Sequence, residues 1–283
     1  MKGYKGFHKN LICKGNGYEK KYEENTVYEE EGAKICKSGM HFCNNPFDVL
    51  DYYGFIDNAG EFNEFAEVEA LADCDTDDNK KYCTTKLRVG AKLSFAGFVK
   101  ACTDFVKEET NFEPKDLHDN TNESGDYAQI GSSGDSAKIG SSGYSAKIGS
   151  SGDYAKIGSS GDYAQIGSSG YSAKIGSSGH SANIGSSGDY ANIGSSGDYA
   201  KIGSSGYYAR INSTGLDSVI CCAGSGSIAK AKKGSWITLS EWEYLEEKTR
   251  YVPVCVKTEQ VDGERIKEDT FYKLQNGEFV EVV

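Results

Sequence analysis

The chain has 283 residues, and 37% of them are hydrophobic, which allows a buried core in one large domain or in two to three smaller ones. Its 35 glycines with only three prolines exclude a collagen and a proline-rich linker. The net charge of −11 argues against nucleic-acid binding through phosphate contacts, since such binding needs a basic surface. We find no run long enough for a signal peptide or a membrane span and expect a cytoplasmic protein.

Residues 1–113 have the pattern of an α+β domain. Asn45-Pro46 marks a helix start, residues 64–71 and 84–93 alternate as strands do, and residues 94–108 combine a serine start with amphipathic spacing. The following residues 114–124 are polar and are expected to form a linker.

Three residues of this first block are weak candidates for a metal site. Cys36, His41 and Cys43 have the spacing C-x4-H-x-C, which is not one of the usual zinc spacings. The nine cysteines are an odd number and are not spaced like those of a disulfide framework, so we expect free thiols and no disulfide. We also expect no bound metal and no cofactor.

Ten consecutive nonapeptides of the type GDYAKIGSS begin at Gly125. The fourth residue is always Ala and the sixth always Ile, which places both side chains on the inner side of a short strand. One copy buries too little to fold alone, whereas stacked copies form a continuous core. The sequence therefore predicts a mainly β fold with a parallel β-solenoid of two repeats per coil over residues 125–240, its last coils degenerate. Representative core positions are Ala128, Ile130, Ala155, Ile157, Ala191 and Ile193.

The third and fifth residues of each repeat are then predicted to face outward. Two interpretations of the tyrosines stay open: a binding or self-association surface, and a structural ladder in which rings stack between coils. The candidate binding residues are Tyr127, Tyr154, Tyr163, Tyr190, Tyr199, Lys156 and Lys201. Calcium binding is disfavoured, because Tyr or His replaces the Asp in four of the ten repeats.

Residues 241–283 are predicted to form two β-hairpins that cap the solenoid. The first would turn at Asp262-Gly263 and the second at Asn276-Gly277, both of which are preferred two-residue hairpin turns.

The segments YKGFHKNLIC, YEEEGAKICKSGMHFCNNPFDVLDYYG and WITLSEWEY resemble an uncharacterised family encoded by phages and prophages of Firmicutes. The resemblance implies a setting in the host cytoplasm during infection. In that setting we expect a non-enzymatic accessory protein that binds and blocks a host factor, either a defence protein or its nucleotide signal. The solenoid would then be a rigid scaffold for binding or for a homo-oligomer.

Two alternatives remain at this stage. One is a structural shaft of the virion. The other is an enzyme, because YKGF, GMHF and EVEAL resemble the strand order of ADP-ribosyltransferase-like domains. An enzyme would need a pocket with converging polar groups in the N-terminal domain.

Overall fold

A computed structural model describes residues 1–15, 18–57, 61–109 and 125–282. The chain divides into two compact units, residues 1–108 and residues 109–283. The predicted linker at residues 114–124 lies outside the described residues. In the part of the chain that is described, none of the helices has the length and apolar character needed to cross a membrane.

The first unit is an α+β fold built on an antiparallel sheet. Its strands are β1 Lys2–Phe7, β2 Ile12–Gly15, β3 Tyr18–Lys21, β4 Thr26–Glu29, β5 Met40–Cys43, β6 Glu64–Ala70, β7 Cys74–Thr76, β8 Lys81–Thr84 and β9 Lys86–Leu93. Seven of them form one sheet in the order β4-β9-β6-β1-β5-β8-β7, and β2 pairs with β3 as a separate hairpin. The helices are α1 Pro46–Val49 and α2 Phe95–Glu109. Both predicted strands and the second predicted helix are confirmed to within two residues, whereas the first helix begins at the predicted Asn45-Pro46 but ends already at Val49.

Helix α2 is anchored on the sheet through aromatic packing. The rings of Phe65 and Phe98 stack with their centroids 3.7 Å apart, and Phe47 of α1 is fully buried in the same cluster. The Asn45 side chain caps α1 by accepting a hydrogen bond of 2.9 Å from the Phe47 amide. In the short segment after α1, the amides of Tyr52 and Tyr53 both donate to the Val49 carbonyl, at 3.0 and 2.9 Å.

The second unit contains the predicted parallel solenoid, with about six turns over residues 129–239. Strands 18 residues apart pair in register, so each coil holds two nonapeptides. They form two sheets, one with the even-numbered strands β10 to β20 and one with the odd-numbered strands β11 to β21. The strands are β10 Gln129–Ser132, β11 Lys138–Ser141, β12 Lys147–Ser150, β13 Lys156–Ser159, β14 Gln165–Ser168, β15 Lys174–Ser177, β16 Asn183–Ser186, β17 Asn192–Ser195, β18 Lys201–Ser204, β19 Arg210–Ser213, β20 Val219–Cys222 and β21 Ile228–Lys230.

The predicted core of the solenoid is confirmed, with one addition. Ile130, Ile157 and Ile193 are at most 4% exposed, as are the alanines two positions before them. The strands begin at the fifth residue of each repeat, so the Ala precedes its strand and the first Ser of Gly-Ser-Ser becomes a third inward position. Ser159, for example, is fully buried.

From Gly143 onward, the glycine that opens each repeat is required by close stacking of the coils. A Cβ at Gly170 would lie 1.9 Å from the carbonyl oxygen of Gly152, and the same clash recurs in the coils above and below. The glycine within the strands of the even-numbered sheet is different. A Cβ at Gly149 or Gly185 would meet no atom within 4 Å.

The C-terminal region differs from the prediction in its first hairpin. Strand β22 Trp236–Leu245 pairs with β23 Arg250–Gln260 through a 3₁₀ turn at Glu246–Lys248. Residues 261–271 form no strand, because Val261 and Ile266 instead turn inward and join the solenoid core. The second hairpin is confirmed as β24 Tyr272–Gln275 and β25 Glu278–Glu281, with Asn276 and Gly277 both at positive φ. Each hairpin extends one of the two sheets.

Candidate functional site

The first unit encloses a cavity of about 830 Å³, a size suited to a small-molecule ligand. Strands β1 and β5 contribute Lys5 and His41, the hairpin β2–β3 contributes Lys14, and the loop before β5 contributes Cys36 and Lys37. The remaining walls include Tyr22, Glu30, Tyr52, Tyr53 and Lys81. We call it the Lys5 cavity.

Lys5 is the most unusual residue of this cavity, because it is a lysine that is only 7% exposed. Its Nζ donates a hydrogen bond of 2.6 Å to the carbonyl oxygen of His41 and lies 5.4 Å from the centre of the Tyr22 ring. Among the described residues, no carboxylate pairs with it, and Glu30 is engaged by Lys20 at 2.6 Å. Buried charges in proteins are normally paired. Lys5 is therefore a buried cation that is not paired with a carboxylate among the described residues.

Close backbone packing shapes one wall of the cavity. A Cβ at Gly6 would lie 2.6 Å from the Cβ of Tyr53, so only glycine lets the tyrosine approach strand β1. Burial raises the pKa of the Tyr53 hydroxyl, which stays protonated at neutral pH. Tyr52 is half exposed, and its ring centre lies 4.7 Å from Nζ of Lys81.

Cys36, His41 and Lys81 form a connected cluster on this cavity. The Cys36 amide donates to Nε2 of His41 at 3.1 Å, and Nζ of Lys81 donates to Sγ of Cys36 at 3.0 Å. Burial lowers the pKa of His41, and the cations Lys5 and Lys81 lower it further, so the imidazole is neutral at pH 7. A neutral imidazole with Nε2 as acceptor is the form that this contact requires.

The three weak metal candidates all line the Lys5 cavity, but they are not arranged as a ligand set. Nε2 of His41 already accepts the Cys36 amide, and burial raises the pKa of Cys43 to about 12, so that thiol keeps its proton. No group of three or more residues able to hold a metal occurs in the ranges that the structure describes. The nine cysteines all lie in the described residues and form no disulfide.

The tyrosines of the solenoid lie at its corners, where the third residue of each repeat adopts a positive φ. Tyr127, Tyr163 and Tyr199 follow one edge, and Tyr154 and Tyr190 follow the other. Each ring packs on an aromatic residue of an adjacent coil, as in Tyr154–Tyr171 at 5.7 Å and Tyr171–Tyr190 at 5.3 Å. The rings remain about half exposed. The tyrosines are therefore stacked between coils and also form two aromatic edges.

The aspartates at the second position of the repeats have a structural role that the sequence analysis missed. Oδ1 of Asp153 accepts a hydrogen bond of 2.8 Å from the Tyr171 amide in the next coil, and Asp162 binds the His180 amide in the same way. Along the edge from Asp126 to Asp198, Asp-Tyr alternates with Tyr-Ser or His-Ser in successive coils, which matches each carboxylate to an amide and each ring to a ring. That alternation was the signal in the sequence.

The two candidate lysines of the solenoid lie in different environments. Lys201 is exposed beside an open groove of about 1030 Å³ on the even-numbered sheet, whose floor is a column of strand glycines. Lys156 belongs to the odd-numbered sheet and is only 3% exposed, so its prediction as a surface residue is wrong. The nonapeptide is the same on both sheets, but its fifth residue is exposed throughout the even-numbered sheet and partly or fully buried in the odd-numbered sheet.

Residues 1–101 match a family described as a domain of unknown function, DUF7666. The match thus covers the sheet, both helix starts and the whole Lys5 cavity. No curated protein and no solved structure matches the chain.

Proposed function

We propose that the protein binds and sequesters a small anionic ligand of the nucleotide class in the Lys5 cavity. The supporting observation is the buried Lys5 ammonium without a carboxylate partner among the described residues. Lys37 and Lys81 add positive charge in a chain whose net charge is −11. Tyr22, Tyr52 and Tyr53 offer rings for a base, and the cavity volume suits a nucleotide.

The resemblance to phage and prophage proteins supplies the proposed setting. In the host cytoplasm, a protein of this kind would withhold a nucleotide signal from a defence protein. The solenoid would act as a rigid scaffold for a partner or a second copy, using its two aromatic edges.

Calorimetric titration of the full chain with ATP, NAD and a cyclic dinucleotide tests the ligand site. We expect one nucleotide to bind in a 1:1 ratio and Lys5→Met to weaken it by about tenfold or more. Lys2→Met is the matched control, since Lys2 is exposed on the same strand. The proposal is overturned if no nucleotide binds, or if both variants bind as the parent does.

The scaffold role has its own test. Tyr154→Ser, Tyr163→Ser and Tyr190→Ser together should lower self-association or partner binding, measured by native mass spectrometry. Ser already occupies the equivalent corners at Ser136 and Ser172 with the same positive φ, so the fold tolerates the change. An unchanged mass distribution would count against this role.

An enzyme is the second candidate, and the Cys36–Lys81–His41 cluster favours it because a thiol, an ammonium and a neutral imidazole meet at one cavity. The same samples decide between the two. Release of nicotinamide from NAD would indicate turnover of the ADP-ribosyltransferase kind, whereas binding without any product supports sequestration.

A further inference from the structure

We propose that Cys36 is a thiol–disulfide exchange site at the Lys5 cavity and that its reaction partner is a small anionic disulfide. The inference rests on the anion site proposed above, because the cavity cations would hold the disulfide beside the sulfur. It concerns a reaction of the chain that nucleotide binding does not require.

The contact between Cys36 and Lys81 is the first argument. Nζ of Lys81 donates to Sγ at 3.0 Å, and an adjacent cation stabilises negative charge on sulfur. The thiolate is the nucleophile in disulfide exchange. The same hydrogen bond raises the pKa of Lys81, which therefore stays protonated at neutral pH.

The position of the sulfur is the second argument. Cys36 is exposed, and its backbone has a φ of 59°, a conformation that non-glycine residues adopt rarely. The hydrogen bond from its amide to His41 holds it there. The loop is closed by the Ser38 amide, which donates to the Lys34 carbonyl at 3.0 Å. The thiol is thus held at the cavity rather than on a free surface loop.

The anionic character of the partner follows from the cavity. Lys5 is buried without a carboxylate partner among the described residues, an observation independent of the cysteine. Lys37 is adjacent to Cys36 in sequence and lines the same cavity. Carboxylate or phosphate groups on a disulfide would compensate these charges.

The step is balanced without a further reactant. The Cys36 thiolate attacks one sulfur of the disulfide, the S–S bond of the partner breaks, and a new S–S bond forms between Cys36 and that sulfur. The second sulfur leaves as a thiolate with the electron pair and takes a proton from water. Cys36 is oxidised, and the disulfide is the oxidant.

Cys221 provides an internal control for the test. Cys36 and Cys221 are the two exposed cysteines of the chain, and the Cys221 thiol has no side-chain hydrogen bond among the described residues. The full-length protein is treated at low ionic strength with oxidised glutathione, which is anionic, and with 2-hydroxyethyl disulfide, which is neutral. Peptide mass spectrometry follows the adduct on each cysteine with time.

With the neutral disulfide, we expect the adduct on Cys36 to form at least about three times faster than the adduct on Cys221. With glutathione disulfide, the ratio of the two rates should be several-fold larger still. Lys81→Met should bring the Cys36 rate close to that of Cys221. Lys5→Met should remove only the advantage of the anionic reagent. Cys36→Ser should abolish the fast adduct, and circular dichroism checks that each variant folds.

Equal rates at Cys36 and Cys221 with both reagents would overturn the inference, and so would a Cys36 rate that Lys81→Met leaves unchanged. A fast Cys36 without preference for glutathione disulfide would overturn the anionic class of the partner. If nucleotides do not bind but the glutathione preference is present and depends on Lys5, the nucleotide proposal fails and the exchange site stands.

Discussion

The two units of this chain use polar residues in opposite ways. In the solenoid, Asp153 binds the Tyr171 amide, and the same contact recurs between Asp189 and Tyr207 two coils on. In the first unit, Lys5 belongs to no repeat, is buried, and has no carboxylate partner among the described residues. Repetition indicates that a conspicuous residue is structural, whereas the single buried Lys5 is the basis of the proposed ligand site. The aspartates and tyrosines of the repeats, which are prominent in the sequence, therefore stabilise the stacking of the coils.

The largest expected effect tests the stacking of the coils. Gly170→Ala should lower the free energy of unfolding by about 3 kcal/mol or more, because the new Cβ would overlap the Gly152 carbonyl. Gly185→Ala is the matched control, since its Cβ meets open space in the same solenoid. That variant should be neutral or more stable by about 0.5 kcal/mol, as glycine disfavours strands. Urea unfolding followed by circular dichroism measures both, and equal losses would refute the stacking argument.

The next prediction tests whether Asp153 stabilises the next coil or binds a metal ion. Asp153→Ala should cost roughly 1 kcal/mol, because the Tyr171 amide loses its acceptor. Asp153→Asn keeps an Oδ1 acceptor and should retain most of the stability. Thermal unfolding with and without calcium checks this. A calcium-dependent rise in the melting temperature that Asp153→Asn abolishes would contradict the capping role.

Substitution of Lys5 is expected to raise the free energy of unfolding rather than lower it. Lys5→Met replaces a buried uncompensated cation by an apolar side chain beside Tyr22, and the free energy of unfolding should rise by about 1 kcal/mol. The same variant should lose ligand affinity. Lys2→Met should change neither quantity. A strongly destabilised Lys5→Met protein would mean that the lysine is a structural residue.

The smallest effect concerns pH. The pKa of His41 is lowered by burial and by the neighbouring lysines, so the unfolded chain binds a proton below about pH 6.5 while the folded chain resists it. The free energy of unfolding should therefore fall as the pH drops from 7 towards 5. His41→Gln should flatten part of that slope. An identical slope in the two proteins would contradict the assignment.

Local sequence patterns predicted much of the first unit but not its cavity. The helix start at Asn45-Pro46 and the alternation in residues 64–71 were enough to place those elements, since both signals are local. The missing partner of Lys5 could not be predicted, because it depends on which carboxylates the folded sheet brings near. Cys36 and His41 were noted as metal candidates for their spacing, whereas their hydrogen bond and the contact of Cys36 with Lys81 require the fold.

The sequence by itself determined the solenoid, its period of two repeats per coil and its Ala and Ile core, because each coil contacts only its neighbours and every contact is repeated. Only the tertiary structure decided that Lys156 is buried and Lys201 exposed, since the two lysines lie in the same repeat position. It also decided that β23 pairs with β22 and not with the residues after Gly263. Two locally favourable turns competed there, and the inward packing of Val261 and Ile266 favoured the other pairing.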